Sequence, residues 1–197
     1  LRALEHVKSA NPVLNISAIA LKGKYAANLD LYGMTPQELE SRNIELLPGG
    51  SLPKPDSTEL ELVFGNMVLT NFYEENTGRG YWDSGELPDI DLAEDQLFLI
   101  LDQDAYYASQ SSPGMDMSAE GSSGAEGGSS GQVRAPKKYV VHASGVVAGG
   151  TEEYNANSYS VFCDLDTLRN CLQKEFRGRA IPGQPTTKSG KPYKQFV

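Results

Sequence analysis

The chain has 197 residues, 39% of them hydrophobic and 22% charged, with a formal net charge of −9. That length allows one well-packed domain or two small ones, and the composition lies above the disordered regime. The longest apolar run, Leu97 to Leu101, is too short to span a bilayer, and no leader-like segment is visible, so an intracellular, cytoplasmic protein without membrane contact is expected.

The charge is unevenly distributed. From Leu168 to Val197 the basic residues are Arg169, Lys174, Arg177, Arg179, Lys188, Lys191 and Lys194, against the single acid Glu175. This segment carries +6 and the remainder −15, an acidic body with a basic tail. An acidic body is a poor coat for nucleic acid, because phosphate binding needs a positive face. Cys163 and Cys171 lack the spacing of a zinc site, and His6 and His142 are distant in sequence, so both cysteines read as reduced thiols.

In chain order, Leu1, Leu4 and Val7 have helical spacing up to Asn11-Pro12. VLNISAIAL and YAANLDLYG read as two strands joined by a tight turn at Lys22-Gly23-Lys24. MTPQELESR starts a short helix, with Thr35 as N-cap, Pro36 at the first position and Glu38 three residues after the cap. ELELVFGNMVLTNF opens with strict alternation. Leu60, Leu62 and Phe64 point one way and Glu59, Glu61 and Val63 the other, with a bend expected at Gly65. A polar loop from Tyr73 to Pro88 carries Tyr81 and the only tryptophan, Trp82. LFLIL is a core strand whose exit is marked by Asp102 and Asp104.

From Ser109 to Gln132, six glycines and eight serines predominate, without Lys or Arg, and this stretch reads as a flexible loop or linker. KYVVHASGVVAG is a strand or hairpin and NSYSVFCDL another strand. Asp164 or Asp166 then caps a helix to about Phe176, with Leu165, Leu168, Leu172 and Phe176 on one stripe. The Pro/Gly-rich end of the chain reads as an extended arm.

These elements predict an α+β fold with a mostly antiparallel sheet and two or three short helices. Residues 1–108 form an acidic body, 109–132 the Gly/Ser loop, 133–176 the strands and helix that complete the same body, and 177–197 the basic arm.

Two stretches carry paired acids. LFLILDQD and VFCDLDTL each run from an apolar strand into Asp-x-Asp. If the pairs met in space, Asp102, Asp104, Asp164 and Asp166 could hold a divalent cation, since hard cations take oxygen ligands. The other reading is a polar exit from the core, with helix capping at the second pair. LILDQDAYYAS, from Leu99 to Ser109, also resembles the first metal-binding motif of the Y-family DNA polymerases, an apolar strand ending in Asp-x-Asp followed by an aromatic pair and Ala-Ser. The resemblance implies a nucleotidyl-transfer enzyme using Mg²⁺ or Mn²⁺ at Asp102/Asp104, with Tyr107 near the incoming sugar. The later Ser-x-Asp-Glu pair of that family has no counterpart in this chain. GVVAGGT has the glycines of a phosphate loop but lacks its lysine, and in GQPTTKSGKP the glycines are separated by six residues rather than four and Pro192 stands where Ser or Thr should be.

The charge split is the strongest functional signal. It points to a non-enzymatic assembly or interaction protein without a cofactor, which binds a protein partner or itself through its acidic body and basic arm. Arg169, Lys174, Arg177, Arg179, Lys188, Lys191 and Lys194 would make the contact with Tyr193, and Tyr81 and Trp82 add an aromatic surface. The alternative is an accessory protein that binds single-stranded DNA or RNA through the same arm and aromatic residues.

Overall fold

The computed structural model describes residues 6, 10–55, 57–111, 135–177, 179 and 181. The expected helix at the start of the chain, the Gly/Ser tract beyond residue 111 and the segment after residue 181 lie outside them.

β1 (Val13–Lys22) and β2 (Tyr25–Met34) form a hairpin paired along its full length, from Val13 opposite Met34 to Lys22 opposite Tyr25. Gly23, at φ +58°, supplies the left-handed turn conformation. α1 (Pro36–Ser41) follows. Thr35 accepts from the Glu38 amide and Pro36 opens the helix, as its sequence predicts. β3 (Glu61–Phe64) ends at Gly65, and a 3-10 turn at Val68–Asn71 leads into β4 (Phe72–Glu74). A Cβ on Gly65 would sit 2.2 Å from the Ser158 carbonyl oxygen, so only glycine allows the two backbones to approach here. α2 (Tyr81–Ser84), β5 (Leu97–Ile100), α3 (Gln103–Gln110), β6 (Tyr139–Val146), β7 (Ser160–Asp164) and α4 (Leu165–Glu175) complete the order.

The strands do not form the mostly antiparallel sheet of the α+β expectation. They close into a mixed barrel. The order is β1-β5-β6-β3-β7-β2, and β2 pairs back onto β1, with β4 added beside β2. β3 runs parallel to β6 and β2 parallel to β7. The reason for the difference is that each parallel pairing joins segments far apart in sequence, and alternation within a strand does not encode its neighbour. β2 makes closure possible. β1 takes one of its edges, while β4, at Tyr25–Ala27, and β7, at Asp30–Met34, share the other.

Inside the ring, Ala18, Ala20 and Ala27 alternate with Leu29, Leu31, Leu62, Phe64, Leu97, Leu99 and Val161 in one buried cluster. A barrel of so few strands is filled by side chains and has no channel. Two further clusters lie outside the wall. α3 lays Tyr106 over Ile19, Leu21, Ala26 and Ile100. α1 and the loop after it lay Leu39, with Ile44, Leu46 and Leu52 beside it, over Met34, Val63, Val147 and Phe162. Val63 is therefore buried, where period-2 alternation placed it on a solvent face.

α4 closes one end. β1, β3 and β6 begin there, and β2, β5 and β7 finish there. Leu168, Leu172 and Phe176 join the interior cluster, and a Cβ on Gly33 of β2 would sit 2.9 Å from Leu168 Cδ2. The helix starts at the end of β7. Near its far end Glu175 accepts from the Tyr139 hydroxyl at the start of β6, at 2.9 Å. It therefore crosses the mouth of the barrel. Among the described residues no helix is long and apolar enough to cross a membrane.

Replacing Gly65 with alanine is expected to destabilise the fold by about 2 kcal/mol or more, because backbone must move to admit the methyl group. Gly150→Ala, at a position with open space around it, is expected to cost less than about 0.5 kcal/mol. Urea unfolding of both variants checks the contrast.

Candidate functional site

The two Asp-x-Asp pairs share one local geometry. Asp102 follows β5 and caps α3, its Oδ1 accepting from the Ala105 amide at 3.1 Å. Asp164 ends β7 and caps α4, its Oδ2 accepting from the Thr167 amide and hydroxyl, both at 2.9 Å. Both capping carboxylates are buried, and each answers the unpaired amides of a first helical turn. Asp104 and Asp166 lie one position into each helix and are exposed. Asp166 pairs with Arg169 at 3.3 Å. All four leave the barrel at the same end, but β5 and β7 are not neighbours in the ring. Among the described residues no three His, Cys, Asp or Glu side chains come together as a metal site.

α3 itself was not expected from the sequence, where the chain after Asp104 reads as an exit into loop. Tyr106 explains it. Its ring is buried on the outer wall and its hydroxyl donates to Glu75 Oε1 at 2.5 Å. Burial, reinforced by that hydrogen bond to a carboxylate, pushes the Tyr106 hydroxyl up to about 12. Tyr107 is half exposed, and its hydroxyl donates to Asn28 at 2.9 Å.

The far end of α4 is tied down by Arg179. Its Nη2 donates to Asp102 Oδ2 at 3.0 Å and to the Glu175 carbonyl at 3.2 Å, and its guanidinium lies over the Phe176 ring. Ile181 beyond it is buried in the interior cluster. Arg169 and Arg179 are thus engaged within the body, and Lys174 and Arg177 are exposed at the end of α4. Lys188, Lys191, Tyr193 and Lys194 lie outside the described residues. Beside this end is a cavity of about 250 Å³ lined by Asn15, Ser17, Gln103, Asp104, Leu101 and Phe176, among others. Burial raises the thiols of Cys163 and Cys171 above their ordinary value.

The exposed aromatic site is at the opposite end. Tyr73 bridges to Gly80, and a Cβ on Gly80 would sit 2.8 Å from the Phe72 carbonyl, so the chain turns tightly against β4. Asp83 Oδ2 accepts from the Gly80 amide at 3.1 Å, and Ser84 Oγ donates to the Gly80 carbonyl at 3.0 Å. These bonds hold the single turn of α2, and Gly85, at φ +72°, ends it. Pro88, Ile90 and Leu92 then return to the core. Asp95 fixes this return. Its Oδ2 accepts from the Asp91 amide and its Oδ1 from Lys22 Nζ at 2.7 Å, and the bond to Lys22 holds its carboxyl below the usual range.

Anchored on both sides, the loop displays Trp82, 69% exposed, edge-on to Tyr81 at 5.2 Å, together with Leu87, 41% exposed. Between residues 74 and 95 there are eight acids and one base, Arg79. Among the described residues, Glu86, Asp89 and Glu94 have no ion-pair partner. The sequence marked Tyr81 and Trp82, and the acids from Asp89 to Asp95, but missed Leu87. The signal was available in GELPDIDLAED, where Ile90 and Leu92 alternate with acids and anchor what precedes them. No protein-family model matches the chain, and no curated protein matches it significantly.

Asp102→Ala is expected to lower stability by about 1–3 kcal/mol, through the lost cap and the lost partner of Arg179, whose own exposure moderates the ion-pair share. Asp104→Ala should cost less than about 0.5 kcal/mol. Denaturant midpoints at pH 7 read the difference.

Tyr106 predicts a pH dependence. Its folded pKa is raised, so its contribution is full below the ordinary tyrosine value of 10.0 and is lost as pH rises towards about 12. Unfolding free energies measured across that alkaline window should fall more steeply in the wild type than in Tyr106→Phe.

Proposed function

We propose that this chain is a non-enzymatic interaction protein that assembles with further copies of itself, its acidic body receiving the basic segment after α4. The division of charge carries the reading. The body's acids include exposed residues without ion-pair partners among the described residues, and the segment after Ile181 has Lys188, Lys191 and Lys194 with no acid. Opposite charge of this kind steers association and suppresses wrong partners. The aspartates that sequence marks as candidate ligands support the same reading. Asp102 and Asp164 are taken up as helix caps, which accounts for their burial without a reaction. The acids around Tyr81 and Trp82 disfavour that aromatic pair as a stacking platform for nucleic acid, since they repel phosphate.

The test uses the full chain and its charge-reversed form, Lys188→Glu, Lys191→Glu, Lys194→Glu. Size-exclusion chromatography with light scattering is expected to show concentration-dependent association of the wild type that weakens with salt, and a monomeric variant. A wild type that remains monomeric at every concentration would overturn self-assembly. Salt-sensitive binding of a single-stranded oligonucleotide, lost in the variant, would replace it with the nucleic-acid reading.

A further inference from the structure

We infer that the loop Gly80–Leu87 is the docking site for residues 182–197 of a second copy of the chain, with Trp82 and Leu87 as its apolar centre. This deepens the assembly reading and rests on it. Three features of the loop make it a binding surface. Among the described residues Trp82 is the most exposed large apolar side chain after Tyr154, and it stands on a turn held by side-chain hydrogen bonds. A tryptophan displayed on a rigid base contributes contact area at small entropic cost, the usual character of an interface anchor. The acids that follow Trp82 along the chain, Glu86, Asp89 and Glu94, are exposed and have no ion pair among the described residues.

The chemistry of the occupant follows from that surround. It must be cationic, extended, and able to face an indole. Residues 182–197 carry Lys188, Lys191 and Lys194, no acid, and the aromatic residues Tyr193 and Phe196. A lysine over the Trp82 face gains from the ring's quadrupole, and Tyr193 or Phe196 can stack on its edge. Another exposed apolar pair among the described residues, Phe98 opposite Val140 on β5 and β6, lies close to Lys137 and Lys138 in sequence and has the wrong sign for this segment.

Geometry favours a second copy over the same one. Ile181 is buried with the interior cluster at the α4 end, and the loop projects near the β1–β2 turn at the other end. The ten-residue strands between them span roughly 33 Å, and sixteen residues reach at most roughly 58 Å when fully extended. A same-chain contact would use more than half of that reach in a straight line, and more along a curved wall. Docking end to end joins unlike surfaces, so copies would add head to tail in a ring or a filament.

Trp82 is the only tryptophan of the chain, so its emission reads the site directly. A peptide of residues 182–197 is titrated into the full-length charge-reversed chain, whose own segment is disabled. A saturable change in Trp82 emission is expected, weakened by salt and absent for a peptide with the three lysines replaced by glutamate. Leu87→Ala should weaken peptide binding by tenfold or more, and Trp82→Ala should weaken wild-type association to the same degree by light scattering, with circular dichroism unchanged in both.

A silent titration, or equal binding of a shuffled peptide of the same composition, would overturn the inference. Wild-type association that survives Trp82→Ala but is lost on charge reversal would also overturn it, while leaving the assembly reading intact. A Trp82 signal that differs between the monomeric wild type and the charge-reversed chain at every dilution would place the segment on its own body and overturn the second-copy occupant. A chain that is monomeric in every form overturns the parent reading instead.

Discussion

The pairing of β1 with β2 is the constraint on which the rest of this structure depends. It is a hairpin, the most local of sheet contacts, yet it is also the joint that turns a row of strands into a ring. With β1 holding one edge of β2 along its full length, the other edge must serve both β4 and β7. β5 is added to β1, and the remaining strands run between β5 and β7. Closure removes the exposed strand edges that an open sheet of this size would present, and it fixes which faces lie inside. The small residues Ala18, Ala20 and Ala27 stand on the inner face of the hairpin, where Leu62, Phe64 and Phe72 bring their bulk from other elements.

The helices follow from the ring. Every strand that finishes at the α4 end leads into a helix or its cap, and the buried aspartates Asp102 and Asp164 supply the acceptors that the first turns require. α4 lies across the mouth with its stripe of Leu168, Leu172 and Phe176 packed on the interior cluster. Its far end is held by the Tyr139–Glu175 bond and by Arg179 on Asp102, so one carboxylate caps α3 and anchors α4 together. Acids that look like chemistry in the sequence are here the means by which two helices begin. The exposed aromatic surface lies away from the paired acids, on the loop at the opposite end, where Trp82 is left outside the core.

Much of the local structure was legible from residue order. The hairpin turn at Gly23, the Thr35 cap, the break at Gly65, the face shared by Leu97, Leu99 and Leu101, and the stripe of α4 all follow from side-chain period and capping chemistry. α3 was not legible, because Gln103–Gln110 has a weak apolar stripe and borders a Gly/Ser tract. Its reason for being helical is Tyr106, whose partners Ile19, Ile100 and Glu75 come from three separate parts of the chain. The candidate site was half legible. Trp82 and Tyr81 stood out by rarity and by their polar surroundings, whereas their exposure depends on Pro88, Ile90 and Leu92 reaching the core.

The sequence by itself determined the β1–β2 hairpin and most of the other strands, the Thr35 cap, the division between an acidic body and a basic end, and the place of Tyr81 and Trp82 in a polar loop. These are set by interactions between residues a few positions apart, or by composition. Only the tertiary structure decided that the sheet closes, that β3–β6 and β2–β7 run parallel, that the two aspartate pairs leave on non-adjacent strands, and that Arg179 belongs to the body. Each of these is a choice among partners distant along the chain, made by which faces can be buried together, and the alternation of a single strand is the same whichever neighbour it finds.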